Sequence, residues 1–97
     1  MTSLLAIDTG QAACSVALWR DGSVVAHRWA PMPKGHAESL APMIKEVQAE
    51  AEFAFEDLDG FAVTVGPGTF TGLRVGLATA RGLAVAASKP LIGVTTL

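Results

Sequence analysis

The spacing of apolar and polar positions changes several times along the chain. It opens with SLLAIDTG, residues 3 to 10, where an unbroken apolar run ends at Asp8. A run of this kind suits a central strand buried on both faces, because a half-exposed strand alternates. ACSVALWR and SVVAHRWA then flank Asp21-Gly22. Asp-Gly between two strand-like runs signals a tight hairpin, since both turn positions need positive φ. The pattern predicts strands over 3–8, 12–20 and 23–30, with Trp19 and Trp29 beside the hairpin as anchors of a sheet face.

PMPKG, residues 31 to 35, interrupts the pattern as a loop. Beyond it, HAESLAPMIKEVQAEAEF places Ala37, Leu40, Ala41, Ile44, Val47 and Ala51 at helical spacing, with Met43 beside them. Glu38, Lys45, Glu46, Gln48, Glu50 and Glu52 supply its polar positions. Pro42 lacks an N–H, so this amphipathic helix either kinks there or effectively begins just before it. FEDLDGFAVTV reads as a turn and a fourth strand near 59–65, and LIGVTTL, after Lys89-Pro90, as a fifth.

Between these two strands, residues 70 to 87 have helical spacing but almost no polar face. Gly72, Gly76, Ala80 and Ala84 recur every four residues as a ridge without bulk, although each glycine costs up to about 1 kcal/mol of helix propensity. This helix expects neighbours on two sides: the sheet on one, and the first helix or a second protein molecule on the other. The resulting order, β-β-β-α-β-α-β, describes a mixed five-stranded sheet whose later strands are added in parallel through right-handed crossovers. It is the topology of one ribonuclease H-like half-domain, the α/β unit of the actin, Hsp70 and sugar-kinase superfamily.

Composition narrows the setting. Ninety-seven residues make one small domain, 1–97. With 51% apolar residues, the chain either buries several faces or keeps apolar surface for a partner. The lone Cys14 forms no internal disulfide and no apolar leader segment is present, so a reduced cytoplasmic setting is expected. No run approaches the roughly 20 apolar residues of a membrane helix. All nine carboxylates fall in residues 1 to 59, whereas residues 60 to 97 carry only Arg74, Arg81 and Lys89. Three cations are too few for autonomous nucleic-acid binding.

Two segments are candidates for ligand chemistry. Asp8-Thr9-Gly10 lies at the carboxyl end of the first strand, where ligands gather in open α/β sheets. Asp8 there either faces a nucleotide phosphate and its metal or accepts hydrogen bonds from the turn. In GPGTFTGLR, residues 66 to 74, Gly66, Pro67 and Gly68 turn the chain sharply. The N–H groups of Thr69, Phe70 and Thr71 then face any anion at the helix start. Thr69 serves equally as an N-cap. The loop lacks the Lys-Ser/Thr ending of a P-loop. His27, His36 and Cys14 show no metal-ligand spacing, and Ser15 and Ser39 no triad arrangement.

LAIDTGQAACSVALWRDG, HAESLAPMI and VGPGTFTGLRVGLATARGLAVAASKPLIGVTTL together resemble the bacterial TsaB family, formerly called YeaZ, across essentially the whole chain. The resemblance implies the N-terminal half of a two-domain protein. It also implies a non-catalytic partner of TsaD, which transfers a threonylcarbamoyl group to N6 of adenosine 37 in tRNA. TsaE, an ATPase, joins the larger assembly, and tRNA is met indirectly. An older M22 glycopeptidase label for such proteins implies no proteolysis. TsaD-like proteins continue the GV strand end into a metal-binding HxxxH motif, and Thr96 stands here in place of the first histidine.

By the same resemblance, ATP or ADP binds between the two halves, so Asp8, Thr9, Gly10, Gly66, Gly68, Thr69 and Thr71 form one wall of a shared site. The two helices form a surface used for both self-association and TsaD binding. Their residues Leu40, Met43, Ile44, Val47, Leu73, Gly76, Leu77 and Ala80 are the expected interface. An actin-like phosphotransferase and a plain homodimeric structural protein are the competing readings.

Overall fold

The computed structural model describes the backbone of residues 2–11, 13–31, 40–66 and 70–95. β1 (Ser3–Gln11), β2 (Ala13–Arg20) and β3 (Ser23–Pro31) form an antiparallel meander. α1 (Leu40–Ala51), a 3-10 turn (Phe55–Asp57), β4 (Gly60–Gly66), α2 (Phe70–Ala87) and β5 (Leu91–Thr95) complete the order. The sheet runs β3-β2-β1-β4-β5, with β4 parallel to both β1 and β5. The expected five-stranded mixed sheet with two helices is what the chain forms.

The hairpin follows from its turn chemistry: Asp21 and Gly22 have φ of 51° and 88°, the pair of positive angles that a twisted two-residue hairpin demands. Asp21 also exchanges two bonds with Thr2, its N–H donating to the carbonyl and its carboxylate accepting from the N–H, both 2.9 Å. Asp59 holds Ser3 in the same reciprocal way, at 2.8 and 2.6 Å. These two aspartates fix the start of β1 against the hairpin on one side and the approach to β4 on the other.

One face of the sheet holds the core. Leu5 and Ile7 pair with Leu18 and Val16 across β2 and with Phe61 and Val63 across β4, so all six side chains share a face. Both helices cover that face, α1 over β2 and β3 and α2 over β1 and β4. α1 turns Leu40, Met43, Ile44, Val47 and Ala51 inward. The described helix begins at Leu40, just before Pro42, the second of the two expected outcomes, and in a first helical turn the N–H that proline lacks has no intrahelical partner to lose. Arg28 of β3 reaches over to α1, its Nη2 2.6 Å from Glu50 Oε1 and its Nε 3.3 Å from Glu46 Oε1. α2 ends in a Schellman cap: Ser88, at φ 57°, donates to Val85 O and Lys89 to Ala84 O.

The opposite face carries Leu4, Ala6, Asp8, Ser15, Ala17, Ala62, Thr64, Ile92 and Val94, and no described helix covers it. Trp29, paired with Ser15, stands on that face and is 62% exposed, so it is not the core anchor its composition suggests. β3 carries one extra residue, Val25, between Ala26 (opposite Leu18) and Val24 (opposite Trp19), which makes a bulge on the sheet edge.

Phe61, fully buried at the centre of the helix-covered face, packs near Phe55, which in turn meets Phe53 edge-on. Phe61→Ala in the intact protein is expected to cost about 3–5 kcal/mol, read as a lower urea midpoint with an unchanged slope.

Candidate functional site

The end of β1 sorts its residues by parity. Its ladder to β4 reaches only Ile7, opposite Val63, and its ladder to β2 is regular only to Asp8, opposite Ser15, before an irregularity leads to Gln11. Asp8 therefore sits where the strand is leaving the sheet, on the uncovered face. There it lines a pocket of about 200 Å³ with Ser15, Thr64 and Val94 over a floor of Ala6, Ala17 and Ala62. Thr64 is buried beside it and donates its hydroxyl to Ile7 O at 3.4 Å. A carboxylate and two hydroxyls above a small-residue floor can orient a polar group, but enclosed ligand sites usually measure roughly 300–1,000 Å³. At about 200 Å³ the pocket is smaller than that range.

The other residues expected around nucleotide lie at the carboxyl ends of β1 and β4 and the start of α2 where they are described. Thr9 points the opposite way from Asp8, fully buried against α2. Gly66 ends β4 opposite Thr95. Gly10 belongs to the β1 backbone and Thr71 to the first turn of α2, whereas Gly68 and Thr69 lie outside the described residues. Among those whose side chains are described, Thr9 does not line the pocket and Asp8 does. Ser15 and Thr64 join it without having been anticipated; the pairing register and strand parity bring them there, and no motif in the sequence marks them.

The helix surfaces require a correction. Leu40, Met43, Ile44, Val47 and Ala80 are at most 5% exposed, and Leu77 packs against the same core. Gly76 is buried too: a Cβ built on it would overlap the Thr9 hydroxyl and come within 3.2 Å of Thr9 Cβ and Cγ2. Leu40, Met43, Ile44, Val47, Gly76 and Ala80 hold the helices to their own sheet and are buried from a partner, while Leu77 is half-buried at the edge of that packing. The Leu73 side chain is outside the described ones. The ridge of Gly76, Ala80 and Ala84 thus admits the sheet. What α2 presents outward is Ala78, Gly82, Val85 and Ala86, with Arg74 and Arg81 among them. Val85 is 73% exposed, and a Cβ on Gly82 would meet nothing within 4 Å. The two arginines were the available signal, because charge marks the solvent side of a helix that is otherwise apolar all round.

Among the described residues no cluster of His, Cys, Asp and Glu could hold a metal ion, and no helix is long and apolar enough to cross a membrane. Cys14 is buried, with its Sγ 3.8 Å from Met43 Sδ, and burial raises its pKa. The thiol is held protonated and shielded, a packing group rather than a nucleophile.

The profile of the family described as TsaD, tRNA N6-adenosine threonylcarbamoyltransferase, matches residues 31–97. The Escherichia coli "tRNA threonylcarbamoyladenosine biosynthesis protein TsaB" is 45% identical over 94 residues, covering 97% of this chain and 40% of that protein. The solved structure "YeaZ from Pseudomonas aeruginosa" is 39% identical, with a TM-score of 0.91 over 100% of this chain and 45% of that one. The chain belongs to the TsaB (YeaZ) family. It spans about 40% of the length of the curated TsaB relatives it matches. Thermus thermophilus RuvC superposes with a TM-score of 0.64 at 10% identity over 98% of this chain and 65% of that one, a likeness of fold alone. The fold is ribonuclease H-like.

Two of the helical glycines of this TsaB-family chain, Gly76 and Gly82, are expected to respond in opposite directions. Gly82→Ala gains up to about 1 kcal/mol of helix propensity into open space. Gly76→Ala makes the same gain but forces a methyl group into Thr9, and overpacking of about 1–3 kcal/mol gives a net loss or, at best, no gain. Urea denaturation of the two variants checks the order. Cys14 is expected to react with a thiol reagent only as fast as the intact protein unfolds, so labelling at native-state rates typical of a free thiol would contradict its burial.

Proposed function

We propose that this chain is the docking half of a TsaB subunit that supports a TsaD-type transferase in threonylcarbamoylation of adenosine 37 in tRNA, and that it carries no transfer chemistry itself. The observation behind the proposal is the outward face of α2. Val85 stands 73% exposed on a helix whose neighbouring outward positions are Ala78, Gly82 and Ala86. Nothing within the described chain explains a glycine at position 82, since its missing side chain makes room for no neighbour. A glycine that weakens a helix without serving its own fold is accounted for when another backbone must come close. A helix from TsaD, or from a second copy in self-association, fits against such a surface. Arg74 and Arg81 at its margin supply charge for register and approach rate.

Size-exclusion chromatography of the intact protein mixed with a TsaD-family transferase, followed by measurement of threonylcarbamoyladenosine in tRNA with and without it, tests the reading. A complex and raised modification are expected, and neither appearing would overturn it. Val85→Arg is expected to weaken the complex at least about ten-fold while leaving the urea midpoint near the parent value. Gly82→Leu is expected to weaken it similarly. Equal affinity in both variants would place the docking surface elsewhere.

We infer also that the Asp8 pocket is one wall of an ATP or ADP site completed by residues outside this chain. Its size supports this, being too small for a nucleotide yet bounded by a carboxylate and two hydroxyls. Asp8→Asn in the assembled complex should change ADP affinity measured by calorimetry. Unchanged affinity would leave Asp8 as an acceptor for its own turn.

A further inference from the structure

We propose that the seat of Thr9 on Gly76 couples the outer face of α2 to the Asp8 wall, so that a partner docked on the helix sets the geometry of the strand end. The inference rests on the docking reading above. Its ground is the way β1 is held at this point. Up to Ile7 the strand is fixed on both sides by ladders to β2 and β4, but beyond it the β4 ladder has stopped, and beyond Asp8 the β2 ladder becomes irregular. The side chain of Thr9, fully buried, lies instead in the notch left by the missing Cβ of Gly76. A threonine locked to a helix backbone is a stiff connection, because the β-branched side chain has little χ1 freedom with which to absorb a displacement.

The two ends of this connection face in opposite directions. On α2, Gly76 is inward while Ala78, Gly82 and Val85 are outward, so a load on the outward side moves the notch. On β1, Thr9 is inward while the adjacent Asp8 is in the pocket with Ser15 and Thr64, so a movement of Thr9 carries Asp8 with it. Where ladders end, less free energy opposes local opening, and a partner that immobilises α2 also immobilises the strand end seated on it.

Amide hydrogen exchange followed by mass spectrometry tests this in the intact protein, free and saturated with a TsaD-family transferase. Docking is expected to slow exchange in α2 and, by about five-fold or more, in the segment 8–11. In Thr9→Ala the α2 protection should persist while the added protection of 8–11 disappears; Thr9→Ser, which keeps the hydroxyl in the notch, should retain most of it. Protection of α2 without any change at 8–11 would overturn the coupling, as would equal protection of 8–11 in Thr9→Ala. If α2 itself gains no protection, the docking reading falls, and the coupling falls with it. Should Thr9→Ala fold poorly, its α2 exchange in the free state will show it, and Thr9→Ser against the parent still decides.

Discussion

The arrangement depends on the parity of β1. As the central strand of the sheet it is bonded on both sides, and its register against β2 and β4 sends Leu5, Ile7 and Thr9 toward the helices and Ala6 and Asp8 to the other face. A slip of one residue would exchange the two sets, burying the Asp8 carboxylate under α2 and exposing the core. The two aspartate clamps at Thr2 and Ser3 make such a slip costly before any packing is counted. Core, helix seats and pocket are thus consequences of one register.

α2 shows how identical residues can serve different ends. Gly76 and Gly82 lie six positions apart on one helix and both lower its propensity, yet only the first is explained by the fold that contains it. Thr9 fills the space beside Gly76, and open solvent lies beside Gly82. The difference divides the helix into a side that completes the domain and a side available to something else, which bare composition does not separate.

Much of the architecture was legible in the sequence because local chemistry and global arrangement agreed. Asp21-Gly22 has one comfortable geometry, and the apolar spacing of Leu40, Ile44 and Val47 has one sensible orientation. The inward side of α2 was less legible, since a helix apolar all round has no polar stripe to set its phase. The glycine-alanine ridge looks equally suited to a sheet or to a partner. Assigning α1's core residues to an interface neglected that a domain of this size has few helices with which to close its own core. Ser15 and Thr64 reach the Asp8 pocket through pairing register, which emerges only when β1 is laid between β2, its neighbour in sequence, and β4, a strand from much later in the chain. The exposure of Trp29 has the same origin: its side of β3 faces away from both helices.

The bulge at Val25 has a consequence for the chain's behaviour in a crowded solution. β3 is an outer strand, and Val24 and Val25 are among the exposed valines of the protein, a combination that invites another strand to add on and begin an aggregate. The extra residue breaks the even spacing of the free N–H and C=O groups, and Pro31 removes a donor at the strand's far end. A foreign strand therefore finds an edge whose pairing groups are interrupted. Apolar surface can stay open on α2 for a chosen partner while the sheet edge under α1 discourages unchosen ones.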